Sequence, residues 1–201
     1  ISMINPLVKK SFYDLKQSTS FKDKISLLIV GGSQGANIFD KNLKNSIVNI
    51  SKKNSIRIIQ QTSNKNVSSL SNFYLKNNIE NKVFSFEKNF ANIIEQADLC
   101  ITRAGASTLA ELSVSNLPFI AVPLPTSKDN HQLENALFYK NNQCCWIIEQ
   151  QNFEETIDDL LISIFKNKNE YLDKKENLKK LNYQNTWINV NQKILRVINE
   201  N

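Results

Sequence analysis

The sequence predicts an α/β domain built on a doubly wound, six-stranded parallel sheet. Three observations predict it. From Ile25 onward, short apolar runs rich in β-branched residues alternate with amphipathic stretches of helical length, the pattern of parallel strands joined by helices on both faces. The 201 residues, 41% hydrophobic and 22% charged, are enough for one substantial core. Gly31, Gly32, Gly35 and Gly105 are the only four glycines, where average usage supplies about 14 in a chain of this length. All of them fall in two segments that each follow a strand and open a helix.

The first strand covers 26–30, where Leu27, Leu28, Ile29 and Val30 form an unbroken apolar run suited to a sheet covered on both faces. A helix over 36–50 follows, with Ile38, Phe39, Leu43, Ile47 and Ile50 on one side. Strands at 56–60, 82–86, 99–102, 119–122 and 144–148 alternate with helices at 67–75, 90–96, 108–115 and 132–140. Beyond Phe153 the chain is free of proline and reads as helix to its end, with Leu160, Leu161, Ile164, Leu178, Leu181, Trp187, Ile194 and Val197 as packing positions. No internal repeat is visible. Residues 1–24 read as a linker leading into the domain and 25–201 as the domain proper; the opening Ile1-Ser2-Met3 and the linker-like 5–10 suggest a piece of a longer protein. In the common strand order 3-2-1-4-5-6, strands 1 and 4 are neighbours at the switch point beyond whose carboxyl ends ligands bind. The two glycine segments end those two strands.

A net charge of +6 raises the question of nucleic acid, but lysines outnumber arginines 22 to 3 and are spread along the whole chain. No basic cluster is interleaved with aromatics, so no nucleic-acid partner is expected. Cys100, Cys144 and Cys145 sit in apolar runs, and the adjacent pair does not suit a zinc site, so they read as buried thiols of a reducing compartment. No apolar run approaches the roughly 20 residues of a membrane span. Neither D-x-D nor metal-spaced His and Cys occur, and no metal or cofactor is expected.

Gly31-Gly32-Ser33-Gln34-Gly35 is not the G-x-G-x-x-G of dinucleotide folds, and the second strand ends Gln60-Gln61-Thr62 without an acid for an adenine ribose. It is either a phosphate loop or only a tight turn. Arg103-Ala104-Gly105-Ala106-Ser107-Thr108 opens a helix whose free N–H groups and positive dipole end form an anion site, with the Ser107 and Thr108 hydroxyls as further donors. Glu111 completes a capping box with Thr108, and it stands equally well as a ribose-binding carboxylate. The proline-stiffened segment 123–132 holds His131, the only histidine, as either a solvated side chain or a ligand.

Gly31-Gly32-Ser33-Gln34-Gly35-Ala36, Ala97-Asp98, Arg103 through Thr108 with Glu111, Leu117-Pro118, Val122-Pro123, and Asp129-Asn130-His131-Gln132 with Asn135-Ala136 resemble, in order and spacing, the MurG family of glycosyltransferases. The similarity covers about residues 5–201. It implies the carboxyl-terminal, donor-binding half, with a Rossmann-like fold, of a two-domain GT-B enzyme that transfers GlcNAc from UDP-GlcNAc to lipid I in peptidoglycan synthesis, with inversion. By that resemblance Ser33, Gln34 and Gly35 would face the diphosphate and sugar, while Arg103 falls within the matched motif. Gly105, Ala106, Ser107 and Thr108 would present the helix end to the phosphates, and Glu111 would bind the ribose. Phe86, Glu87 and Phe90 would hold uracil; His131, Gln132 and Asn135 would address GlcNAc. Glu87 departs from an apolar position of the family, and the linker and the last helices follow it only loosely.

The resemblance also implies that no catalytic residue lies on this chain. The base, the lipid I site and the contact with the inner face of the cell membrane would belong to an amino-terminal half, so that the whole protein is cytoplasmic and peripheral and this chain alone does not turn over. Alternatives are a separate-chain donor subunit, another GT-B enzyme such as a UDP-GlcNAc 2-epimerase, and a non-catalytic nucleotide-binding module.

Overall fold

The apolar runs pair side by side in a computed structural model that describes residues 6–16, 20–181 and 185–199, and omits the side chains of 33–36. The strands are β1 (Lys24–Val30), β2 (Ser55–Gln61), β3 (Glu80–Phe84), β4 (Leu99–Thr102), β5 (Phe119–Ala121) and β6 (Cys145–Ile147). They form one all-parallel sheet in the order β3-β2-β1-β4-β5-β6, as the alternation of elements predicts. A short α1 (Lys10–Tyr13) precedes the sheet, and α2 (Gly32–Ser51), α3 (Val67–Lys76), α4 (Phe90–Glu95), α5 (Ala106–Val114) and α6 (His131–Asn141) make the crossovers. Three helices follow: α7 (Phe153–Lys166), α8 (Lys168–Lys180) and α9 (Trp187–Asn199).

A parallel sheet leaves neither face to water, and the period of two sorts each strand between two cores. Ile25, Leu27 and Ile29 of β1, Ile56 and Ile58 of β2, and Leu99 and Ile101 of β4 meet α2, α3 and α7 through Phe39, Leu43, Ile47, Leu70, Tyr74 and Ile157. Leu28, Val30, Ile59, Cys100, Phe119 and Ala121 face the other side, against Ile93 and Ile94 of α4, Leu109 and Leu112 of α5, and Ala136 and Tyr139 of α6. Val8 and Phe12, ahead of β1, join this second core, and the Val8 amide donates to the Asn185 carbonyl. All three cysteines are free and buried, and burial pushes the Cys145 thiol up to about 12.

The structure departs from the sequence reading at several element ends, and α2 begins at Gly32, four residues before its expected start. β3 runs two residues earlier than predicted and ends at Phe84, whose carbonyl accepts from the Thr62 amide; Phe86 therefore lies in the following loop rather than on the strand. α5 begins at Ala106, two residues before the expected start. Trp187, Ile194 and Val197 are not packed as predicted but are 72%, 42% and 46% exposed, and Val190 is the only buried residue of α9. Helical periodicity marks an apolar face, but burial needs a surface opposite it, and the described residues leave most of this face exposed.

Two buried polar clusters stiffen the sheet, one beside the carboxyl end of β2 and one at the amino end of β4. On α2, Asp40 accepts from Gln60 Nε2 at 2.9 Å, from Asn66 Nδ2 at 3.0 Å and from the Thr62 hydroxyl, and Tyr74 donates to Gln60 Oε1 at 2.6 Å. At the amino end of β4, Asp98 pairs with Lys22 at 2.7 Å and accepts from the Ser26 amide at 2.9 Å, while its carbonyl takes the Tyr171 hydroxyl at 2.7 Å.

Lys175 of α8 lies near this second cluster, 4% exposed, and burial pushes its ammonium down to about 8, against the pull of Asp98. Below that pH the folded chain holds a buried charge that the unfolded chain solvates, so stability should rise as pH increases from about 8 towards the unfolded value near 10.5. Lys175→Met should raise stability at pH 7 by about 1–3 kcal/mol and abolish that rise, as read by thermal melts between pH 7 and 10. A loss of stability at pH 7 would show instead that Asp98 depends on the lysine.

Candidate functional site

Val30 and Thr102 are the last residues of neighbouring strands and are paired in register, and the Arg103 amide extends the ladder to the Val30 carbonyl at 3.3 Å. The chain therefore leaves β1 and β4 side by side at the carboxyl edge. Gly32 opens α2 at φ +63°, a left-handed conformation that glycine adopts without steric cost. Ser33, Gln34 and Gly35 fall in the first turn of α2, and their side chains lie outside the described residues.

Gly105 has a different reason to be glycine. It is the N-cap of α5 with φ −68° and ψ 133°, which any residue adopts, and an added Cβ would meet nothing within 4 Å. Neither backbone strain nor packing asks for glycine here, which leaves clearance for something that approaches the backbone. No side chain caps α5, and its first internal bond runs from the Leu109 amide to the Gly105 carbonyl at 3.0 Å. The amides of Ala106, Ser107 and Thr108 precede that bond and emerge at the positive end of the helix dipole, with Ser107 exposed and Thr108 half-buried.

The capping box between Thr108 and Glu111 does not form, because with the N-cap at Gly105 both residues are already inside the helix. Glu111 is half-buried and its carboxylate makes no hydrogen bond or ion pair among the described residues, and burial pushes its carboxyl above the ordinary range, against the pull of Lys9. A carboxylate kept partly dehydrated and unused by the protein is free to accept from a ligand.

Three residues of the matched motifs hold the neighbouring loops together. The buried Arg103 donates from Nη1 to the Val122 and Pro123 carbonyls at 3.1 and 3.4 Å, and from Nη2 to Gln150 Oε1 at 2.6 Å. Its guanidinium also lies over the Phe39 ring, 5.5 Å from the centroid. Gln132 Oε1 accepts from the Ala104 amide at 3.2 Å and from the Leu124 amide at 3.0 Å, and Asn135 Nδ2 donates to the Ala104 carbonyl at 3.0 Å. Before them, Asp129 and Asn130 are consecutive left-handed residues at φ 51° and 53°, a costly backbone that presents His131 at the first position of α6. The His131 ring is exposed, and its Nδ1 stands 2.7 Å from the Lys128 carbonyl, which fixes the proton on Nδ1 and leaves Nε2 outward.

On the other side of the crevice Phe86 is 79% exposed, Glu87 accepts from the Asn89 amide at 3.2 Å and pairs with Lys82 at 3.7 Å, and Phe90 starts α4 against the second core. Glu87 is thus engaged by its own loop. Gln150 and Lys9 were not legible as site residues: Gln150 matters only through Arg103, 47 residues away, and Lys9 only because α1 packs beside α5. Among the described residues no group of three or more His, Cys, Asp or Glu is placed to hold a metal ion.

Residues 26–186 match the family described as the glycosyltransferase family 28 C-terminal domain. A relative from Pelagibacter ubique is 48% identical over 202 residues, covering 100% of this chain and 57% of its own length. It carries the name UDP-N-acetylglucosamine--N-acetylmuramyl-(pentapeptide) pyrophosphoryl-undecaprenol N-acetylglucosamine transferase. A relative of the same name from Rickettsia prowazekii is 36% identical, covering 87% of this chain and 45% of its own. The chain thus spans about half the length of the relatives it matches. Its fold resembles the crystal structure of Acinetobacter baumannii MurG with a TM-score of 0.73 over 84% of this chain and 50% of that one, at 24% identity.

The two glycines should respond differently to alanine. Gly105→Ala should change unfolding free energy by less than about 1 kcal/mol, whereas Gly32→Ala should cost about 1–2 kcal/mol through its left-handed backbone, both read by denaturant melts. Glu111→Gln should leave stability unchanged or raise it, since the neutral amide avoids burying a charge. A loss near 1 kcal/mol, as for a broken cap, would restore the capping role.

Proposed function

Since this chain belongs to the glycosyltransferase family 28 C-terminal domain family, we propose that it is the UDP-GlcNAc-binding half of the inverting transferase that adds GlcNAc to lipid I and so makes lipid II. The observation that carries this reading is the 48% identity over the whole chain to the Pelagibacter transferase. The geometry supports it: an uncapped helix end, a glycine needed by nothing in the fold, an unused carboxylate and an outward imidazole share one edge of the sheet.

In this reading the diphosphate lies on the amides of Ala106, Ser107 and Thr108, beside the Ser33–Gly35 turn, and Gly105 leaves room for it. Glu111 accepts from the ribose hydroxyls, Phe86 and Phe90 flank uracil, with Glu87 beside them, and His131 offers Nε2 to the sugar. When the muramyl 4-hydroxyl attacks the anomeric carbon, that carbon's bond to the diphosphate oxygen breaks and negative charge grows on the departing UDP. A fixed helix dipole and hydroxyl donors stabilise that charge without reorganising and without a metal. The attacking hydroxyl needs a base and a held acceptor, and both are assigned to the part of the relatives' length that this chain does not span. No helix among the described residues is long and apolar enough to cross a membrane. We assign the whole protein to the inner face of the cell membrane as a peripheral enzyme, attached through that other part.

Calorimetry in EDTA tests the reading: the chain should bind UDP and UDP-GlcNAc without added metal, and no detectable UDP binding by the folded chain, or tighter binding of NADH, would overturn it. Glu111→Gln should weaken UDP by about 10- to 150-fold, the worth of a hydrogen-bonded carboxylate at about 1.5–3 kcal/mol. Gly105→Ala should weaken UDP at least about 10-fold at unchanged stability, because its methyl group would occupy the space of the diphosphate.

A further inference from the structure

We propose that Gln61, the last residue of β2, is a positioning residue for recognition of the nucleotide base, holding in place the start of the loop that carries Phe86. The proposal rests on the nucleotide-sugar reading and adds to it a residue outside the site described above. Gln60 turns its side chain to Asp40 of α2 and to Tyr74 of α3. By the period of two, Gln61 therefore points to the opposite face, the one that Ile59 and Phe84 share with Phe90 of α4. Gln61 and Phe84 are paired at the ends of β2 and β3, and the Thr62 amide adds one more bond, to the Phe84 carbonyl. The carbonyl that follows, that of Ser85, accepts from Gln61 Nε2 at 3.5 Å.

Ser85 immediately precedes Phe86, whose ring is 79% exposed and so takes its direction from the backbone rather than from packing. Further along the loop, Glu87 is engaged by the Asn89 amide and by Lys82. The Gln61 bond ties the beginning of the same loop to the neighbouring strand. The sheet itself does not ask for glutamine at this place. Gln61 Oε1 is buried without a partner among the described residues, an unsatisfied acceptor that costs the fold stability. A leucine of similar size would cover the same face without that cost, but it could not donate to the Ser85 carbonyl. A loop ordered in advance meets its ligand at a lower entropic cost, so freeing Ser85 weakens the hold on the base and leaves the phosphate contacts as they were.

The test compares two ligands and two substitutions. Gln61→Leu should weaken uridine, followed by ligand-observed NMR, and UDP, followed by calorimetry, by the same factor of about 3- to 5-fold, the lower half of what one neutral hydrogen bond is worth, while thermal stability holds or rises. A larger loss for UDP than for uridine would overturn the proposal in favour of damage that reaches the phosphate end. Unchanged affinity for both ligands would overturn it outright, and a fall in stability would make Gln61 a structural residue instead. Gln61→Glu separates the two polar atoms, since it keeps an acceptor oxygen and removes the donor; it should bind both ligands no better than Gln61→Leu. Affinity retained by Gln61→Glu would overturn the proposal and assign the unpartnered oxygen to the ligand. The unsubstituted chain gives a check that does not depend on a variant folding: the Gln61 side-chain amide signals should move when uridine is added, and signals that stay fixed overturn the link to the base. If the unsubstituted chain binds no UDP, the nucleotide-sugar reading falls and the proposal with it; if it binds UDP but the uridine or variant pattern fails, only the proposal falls.

Discussion

The pairing of β1 with β4 is the constraint on which the rest of the structure depends. Those strands are distant in sequence, separated by two complete strand–helix units, yet they lie in register from Leu27 and Leu99 to Val30 and Thr102. Because crossovers in a parallel sheet keep one hand, reversing the direction of winding at this pair sends α2 and α5 to opposite faces. It also leaves a crevice between the two loops at the carboxyl edge. The apolar run of β1 makes this possible: Leu27 and Ile29 serve one core and Leu28 and Val30 the other. A polar face on either side of β1 would prevent helices from covering both.

Polar groups around the crevice fall into two kinds. Arg103, Gln132 and Asn135 have their donors or acceptors turned inward onto loop backbone, where they satisfy groups the sheet ladder cannot reach. Glu111, the amides at the start of α5 and the outer nitrogen of His131 are left without protein partners among the described residues. The second kind weakens the empty fold slightly, since a half-buried carboxylate is held against its desolvation and a helix end stays uncapped. The first kind keeps those exposed groups aimed.

The same division holds away from the crevice. Asp40 and Asp98 are buried carboxylates, and each is surrounded by donors that tie a helix or a preceding loop to the sheet. Asp40 lies beside the carboxyl end of β2 and Asp98 at the amino end of β4, and both serve the scaffold. α9 is the exception to the economy of the fold, since it carries an apolar face, with Trp187 and Ile198 largely exposed, that the described residues do not cover.

Strand and helix order, the sheet topology and the position of the crevice were legible in the sequence because they rest on periodicity and on the placement of four glycines, both local properties. The motif residues were legible as a set for the same reason. What each does was not. Glu111 reads equally as a cap or a ligand until the true start of α5, set by the loop from β4, removes it from the capping position. Gln132 and Asn135 look like ligands beside His131, and only the fold brings Ala104, some 30 residues earlier, within reach of their side chains. Asp40 repeats the helical spacing of Leu43 and Ile47, yet nothing local says that Gln60, Thr62 and Asn66 will surround it. Sequence alone determined which segments are strands and helices and which loops meet, since hydrophobic pattern decides that. Tertiary structure alone decided which polar side chains hold the backbone and which are left without a protein partner, since a hydrogen bond depends on distances the chain acquires only when distant segments pack.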